Sequence, residues 1–161
     1  MATPAAATLP AVNAFPAPFP APSKSAAGEI NGTHTEVTSI AFTDKFVITI
    51  SQAGKLAHWV HVPIAAASAD PMNPGIMSTS SSENNLLPMS HLTATTVLGG
   101  TKREDEVVGQ TLATTIASAI LMASPSEERL LVVGLGLNDA AGHFTGRAQF
   151  DEAVGLVLEV L

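Results

Sequence analysis

The chain has 161 residues, a formal net charge of −7 and no cysteine. This length corresponds to one domain of ordinary size. The lack of cysteine excludes a disulfide scaffold, a cysteine-ligated zinc site and a thiol nucleophile. The acidic balance argues against nucleic acid as a partner, because contacts to a phosphate backbone need clustered lysine and arginine.

The N-terminal region is rich in alanine and proline. Six of the 11 prolines lie within the first 22 residues, and ten alanines fall between residues 2 and 27. Proline at this density blocks both helices and sheet ladders, and alanine buries little apolar area. The composition therefore predicts that residues 1–27 form a disordered tail, followed by a single α+β domain over residues 28–161.

Three strands are predicted next. The first covers residues 33–42, which are rich in threonine, valine and isoleucine. In the second, residues 46–51, side chains alternate between two faces, and a turn at Gly54 leads into the third, residues 56–62. Because the connections are short, the three strands should form an antiparallel meander.

The segment 65–85 shows no period of two or 3.6 residues. It contains two prolines, a glycine and a cluster of serines. Structureless loops of this length are uncommon inside compact domains and are usually functional or disordered. We interpret it as a disordered insert.

The second half begins with a fourth strand at residues 92–98. A helix over residues 102–123 should follow. Its start has the form of a capping box, with Thr101 at the N-cap and Glu104 at the third helical position. Apolar residues recur along it at spacings of three and four, which predicts one buried stripe.

A buried strand at residues 129–137 and a helix at residues 146–161 complete the chain. The predicted fold is of the α+β class, with the order β-β-β-β-α-β-α. Its sheet should be mostly antiparallel, with the helices packed on one face and the other face available for dimerisation.

Two motifs suggest cofactor or metal binding, but neither meets the requirements. Gly134 and Gly136 lack the third glycine of a dinucleotide fingerprint, because Asp139 occupies that position. We interpret these glycines as room for a helix to approach the strand. His58 and His61 should point to opposite faces of a strand, so they cannot share a metal ion. No catalytic, cofactor-binding or metal-binding residue is therefore predicted.

The stretch 107–126 carries no charge and has the length of a membrane span. Glutamine, threonine and serine form a polar stripe along the same helix, however, so we expect no membrane association. This uncharged polar side could meet another protein.

The second sheet face suggests an interface instead. Aromatic and β-branched side chains on an uncovered face favour protein binding. A reversed assignment of the two faces, or coverage by the insert, is the alternative. The predicted interface residues are Val37, Val47, Thr49, Ala57, Trp59, His61 and Val97.

Several segments together resemble the proteasome assembly chaperone 3 family. The run TEVTSIAF at residues 35–42, followed by FVITISQAGKL at 46–56, is similar to the opening hairpin of that family. The run LTATTVLGG at 92–100 is similar to its strand before the first helix, and residues 129–137 complete the order. The turn QAGK within the hairpin is the most specific motif. The tail and the insert depart from the compact family pattern.

The resemblance implies a non-enzymatic chaperone that needs no cofactor. Such a chain would pair with a related small subunit, proteasome assembly chaperone 4, and would promote alpha-ring formation of the 20S proteasome core particle. Its partners would include alpha-ring subunits, and a homodimer of the chain alone is left open. The expected location is the cytoplasm, with the nucleus as a second compartment.

Two other functions are compatible with the sequence. A roadblock- or profilin-like scaffold or trafficking module also uses a small α+β domain to pair, but with a different partner. A small enzyme would have to use polar residues such as His58, His61, His91 and Asp139.

Overall fold

The computed structural model of the chain describes residues 20–64, 88–138 and 147–161. The predicted tail up to residue 19 and the predicted insert at residues 65–85 lie outside these residues. The described part confirms the α+β class. Its elements are β1 (Ser23–Ile30), β2 (Thr33–Ala41), β3 (Lys45–Gln52), β4 (His58–Pro63), β5 (Thr95–Leu98), α1 (Arg103–Ala123), β6 (Leu130–Gly136) and α2 (Arg147–Val160).

The strands form one six-stranded sheet in the order β1-β2-β3-β6-β4-β5. The pairing of β3 with β6 is parallel, and the other four pairings are antiparallel. The sheet is therefore mixed but mostly antiparallel. Because β6 enters between β3 and β4, the meander predicted for the first strands is split at its centre.

Strand β1 corrects the predicted boundary of the tail. Residues 23–27 are not part of a disordered tail, because they pair with β2 in a register that runs from Ser23↔Ile40 to Ile30↔Thr33. The turn residues Asn31 and Gly32 both have positive φ, as a tight two-residue hairpin requires. The Asn-Gly pair is the sequence signal for this hairpin. The alanine content of the preceding residues instead favours a disordered tail, which is why the hairpin is missing from the predicted elements.

Both helices cover the same face of the sheet. Gly28 of β1 lies against Leu156 of α2, and Gly109 of α1 lies against Leu135 of β6. The side chains between the helices and the sheet are almost fully buried and aliphatic. The strand residues of this core are Val37, Ile48, Ile50, Val60, Val62, Leu131, Val133 and Leu135.

Helix α1 begins one residue later than the capping box requires. Its N-cap is Lys102, which makes no side-chain cap hydrogen bond, so the predicted role of Thr101 is wrong. The polar stripe of α1 is used within the chain, because the Ser118 hydroxyl accepts a hydrogen bond from the Met89 amide at 2.8 Å. By length and composition α1 could cross a membrane, but a buried core helix passes the same test, and α1 packs on the sheet.

The turn between β3 and β4 contains the motif that carried the family resemblance. The buried side-chain amide of Gln52 donates to the Thr35 hydroxyl at 3.1 Å, and its oxygen accepts from the main-chain N–H of Asn138 at 2.9 Å. Ala53 and Gly54 both have positive φ. Gln52 therefore ties β2 and β3 to the end of β6, and the motif has a structural role.

Candidate partner interface

The sheet face opposite the helices is not covered by any other described element. It consists of half-buried side chains from the four central strands, which we call the open face. Its members are Ile40, Val47, Thr49, Trp59, His61 and Val132. Val47 is central, because its ladder partners are Ile40 on one side and Val132 on the other, and Val132 is in turn opposite His61.

Four of the predicted interface residues lie together on this face, namely Val47, Thr49, Trp59 and His61. Ala57 precedes β4, where it is exposed and donates its amide to the Leu135 carbonyl at 2.9 Å. The prediction is wrong for Val37, which is fully buried opposite Ile50 in the core. The side chains of β2 on the helix side are Thr35, Val37 and Ser39. Two of these buried side chains are polar, so the alternation of polar and apolar residues in β2 indicates the wrong face for Val37.

Val97 lies on β5 and is 55% exposed. The ladder between β4 and β5 shifts register here, since Thr96 is opposite Val60 while Leu98 is opposite Trp59. Val97 therefore occupies a β-bulge with no ladder partner. Leu98 extends the open face beside Trp59.

Sequence reasoning missed Ile40, Val132 and Leu98 as members or neighbours of the open face. Ile40 could have been found from the hairpin register, which places it opposite Val47. Val132 lies in a continuous apolar run without alternation, and Leu98 follows a bulge. For these two, the sequence carried no signal for the face on which they lie.

The indole of Trp59 lies across Gly134. A Cβ atom at Gly134 would be only 2.9 Å from the indole ring. A Cβ atom at Gly136 would collide with the main-chain carbonyl of Lys55. The interpretation that these glycines admit a helix is therefore wrong, because they admit an indole ring and a turn instead.

Charge lies only at the two ends of the open face among the residues described. Glu36 is opposite Ser51 at one end, and Lys45 is opposite Leu130 at the other. Lys45 also forms an ion pair with Asp44 at 3.0 Å. An apolar centre with a polar and charged rim is the usual anatomy of a protein–protein interface.

A separate cavity of about 230 Å³ opens beside the start of α1. It is lined by His58, by Asp105, by glycines of both the preceding loop and the helix, by Leu135 of β6 and by Leu137 just after it. Burial lowers the pKa of His58, while the negative charges of Glu106 and Asp105 act in the opposite direction. The net shift of the pKa favours the neutral ring. Among the described residues, no group of three or more histidine, aspartate or glutamate side chains could hold a metal ion.

Comparison with known protein families identifies this architecture. The proteasome assembly chaperone 3 family matches residues 48–145, which is more than half of the chain. The chain belongs to this family. The matched range contains the second part of β3, from Ile48 onward, together with β4, β5, α1 and β6. Four of the six open-face residues, Thr49, Trp59, His61 and Val132, lie within it. A chaperone family is not a class of enzymes, and its role is in proteasome assembly.

Solved structures show the same fold, with eight chains matching. One belongs to the crystal structure of a chaperone complex for yeast 20S proteasome assembly. It has 12% sequence identity and a TM-score of 0.52, and the match covers 85% of this chain and 96% of that chain. At this identity the likeness concerns the fold alone. No curated protein matches the sequence.

Proposed function

We propose that the chain pairs through its open face with a related small subunit, similar to proteasome assembly chaperone 4. The resulting heterodimer promotes alpha-ring formation of the 20S core particle and contacts alpha-ring subunits. The chain acts without a cofactor, in the cytoplasm and also in the nucleus.

The main support for the open face as the pairing surface is the difference in burial between neighbouring residues of the central strands. Val47 and Val132 are half-buried, whereas Ile48 and Val133, one position further along each strand, are fully buried. A second subunit laid on the open face would remove this apolar area from water and leave the charged ends at the rim. Family membership favours a sister chaperone as the occupant over the partner of a roadblock- or profilin-like module.

The pairing surface is tested by Val47→Glu in the chain co-expressed with its sister subunit. Pairing would bury an unpaired carboxylate at the centre of the open face, which is strongly unfavourable. We expect affinity to fall at least 100-fold and the heterodimer to be lost in size-exclusion chromatography with light scattering.

Val107→Glu provides the matched control, because Val107 is 55% exposed on α1, in the helix layer. It introduces the same charge away from the open face and should leave the heterodimer intact. An unchanged heterodimer with Val47→Glu would show that the wrong face was chosen. Failure of the wild-type pair to bind any alpha-ring subunit would contradict the role in alpha-ring formation.

A further inference from the structure

The described chain enters the sheet at a corner of the open face. Pro22 precedes β1, and its carbonyl accepts a hydrogen bond from the Ala41 amide at 2.9 Å. Ser23 then lies opposite Ile40, which is a member of the open face. Because paired residues of a ladder point to the same side of a sheet, Ser23 also lies on this face. Residues 1–19 are therefore joined to the sheet directly beside the open face.

An apolar row crosses the open face from this corner. The ladder pairings connect one residue of each strand in turn, from β1 at the edge to β4. The row consists of Ser23, Ile40, Val47, Val132 and His61. Trp59 adjoins its far end, since it lies two residues before His61 on the same side of β4, and its indole extends across Gly134. A chain that turns back over the sheet at Pro22 would meet aliphatic side chains first and an indole ring last.

Residues 1–19 have a composition suited to such a surface. They contain no charged residue, four prolines and the two phenylalanines Phe15 and Phe19. Proline at this density prevents helices and sheet ladders, but it favours the polyproline II conformation, which aromatic side chains bind. Alanine and proline lose almost no side-chain entropy when they are buried. A segment of this kind can therefore bind an apolar face without forming a helix or a strand.

The spacing of the two phenylalanines matches the width of the row. Polyproline II rises about 3.1 Å per residue, so Phe19 and Phe15, four and eight residues before Ser23, can reach about 12 and 25 Å from it. Neighbouring strands lie about 4.8 Å apart. Val47 is two strands from Ser23, or about 10 Å, and Trp59 is four strands away, or about 19 Å. Each phenylalanine thus reaches one large apolar side chain of the face, with some length left for the turn back over the sheet.

We propose that residues 1–19 bind the open face of their own chain along this row. Phe19 packs on Ile40 and Val47, and Phe15 packs beside the Trp59 indole. Because segment and face belong to one molecule, a contact too weak for separate molecules is favoured by an effective concentration on the order of millimolar. The segment shields the apolar row from water while the chain is alone. It leaves the face when the sister subunit pairs, and only this last step rests on the proposed function.

Trp59 itself provides the measurement. It is the single tryptophan of the chain, and there is no tyrosine, so intrinsic fluorescence reports on the open face. The test compares the isolated full-length chain with its variant Phe15→Ser/Phe19→Ser, which changes no described element. Release of the segment exposes the indole to water. We expect the emission maximum to move to longer wavelength and acrylamide quenching of Trp59 to rise about twofold.

The double variant Leu9→Ser/Val12→Ser is the matched control. It also replaces two apolar residues of the segment by serine, but even Val12 lies 11 residues before Ser23. At about 3.1 Å per residue this corresponds to about 34 Å, which exceeds the width of about 24 Å spanned by six strands. The control should therefore leave both the emission maximum and the quenching as in the wild type.

Competition with the sister subunit is measured on the same proteins. We expect Phe15→Ser/Phe19→Ser to pair about tenfold more tightly than the wild type, as when the segment occupies the face in roughly nine chains of ten. Isothermal titration of each full-length protein with the sister subunit gives the affinities. Leu9→Ser/Val12→Ser should pair with the wild-type affinity.

The outcomes separate this inference from the proposed function. Wild-type fluorescence and quenching in Phe15→Ser/Phe19→Ser would overturn it, and so would weaker pairing, which would assign the segment to the heterodimer interface. A wild-type dimer that this variant dissociates in light scattering would overturn it by showing that the segment binds a second copy. If the fluorescence changes as expected but Val47→Glu leaves the heterodimer intact, the contact within the chain stands and the proposed pairing surface fails.

Discussion

The two faces of the sheet are built from adjacent residues of the same strands, yet they differ in chemistry. The covered face is fully buried and consists largely of isoleucine, leucine and valine. The open face mixes valine and isoleucine with threonine, histidine and tryptophan, all of them half-buried. The covered face therefore holds the fold together, whereas the open face has a composition typical of a protein–protein interface.

Two adjacent valines of β6 are expected to show the largest difference between the two faces. Val133 faces the helices and is fully buried, and Val132 lies on the open face. We expect Val133→Ala to lower the free energy of unfolding by about 2–3 kcal/mol, because it leaves a cavity in a packed core. Val132→Ala should lower it by only about 1 kcal/mol or less in the isolated chain.

Urea denaturation of the isolated chain measures both values. Light scattering of each variant mixed with the sister subunit then measures how strongly that variant pairs. Val132→Ala should weaken pairing, whereas Val133→Ala should leave affinity unchanged once both variants are folded. Equal losses of stability for the two valines would show that the open face is part of the folding core.

Much of the fold could be predicted from local patterns, because they repeat over many residues. The second and third strands, α1 and the last helix follow from alternation or helical periodicity. β1 could not be inferred from its own side chains, because its segment SKSAAGEI is small and polar. β1 is ordered by its pairing with β2, and the intrinsic strand propensity of its residues does not include this tertiary contact.

The candidate interface could be predicted only in part, for the same reason. Val47, Thr49, Trp59 and His61 alternate regularly within their strands, so their common face was readable. Val37 was placed on the wrong face because polar Thr35 lies on its buried side. That threonine is compatible with burial only because the Gln52 amide hydrogen-bonds it across 17 residues.

A pair of glycines, one on each side of the sheet, should show a smaller difference between the two faces. Gly109 of α1 faces His58 on the covered face of the sheet, and Gly134 faces Trp59 on the open face. A Cβ atom at Gly109 would collide with the His58 ring, which is held by Thr96. We expect Gly109→Ala to destabilise the chain by about 1–2 kcal/mol despite its better helix propensity.

Gly134→Ala should destabilise the isolated chain by less than about 1 kcal/mol, because Trp59 can move outward into solvent. It should still weaken pairing with the sister subunit, since the displaced indole alters the surface. Thermal unfolding and light scattering measure the two effects. A larger loss of stability for Gly134→Ala than for Gly109→Ala would contradict the assignment of a rigid covered face and an adaptable open one.

A small effect is expected at the charged cluster that closes one end of the covered face. Arg129 donates two hydrogen bonds to the Glu127 carboxylate, at 2.8 and 2.7 Å, and its guanidinium stacks 3.9 Å above the Phe46 ring. The side-chain hydrogen bonds from Arg129 are the main cause that lowers the pKa of Glu127 to about 2. The ionised form is thus favoured in the folded state.

Because this pKa is lower in the folded chain than in the unfolded one, the stabilisation is complete above about pH 4.5 and is lost as the pH falls toward 2. Solvent screening limits it to about 1 kcal/mol. Glu127→Gln should lower the free energy of unfolding by that amount at pH 7, and the difference from wild type should shrink through this acid window. Glu128→Gln, an exposed neighbour, serves as the control in urea titrations at pH 7, 4 and 2.5. If both variants lost the same stability at pH 7, the charged cluster would contribute nothing specific, and the covered face would be held by its aliphatic packing alone.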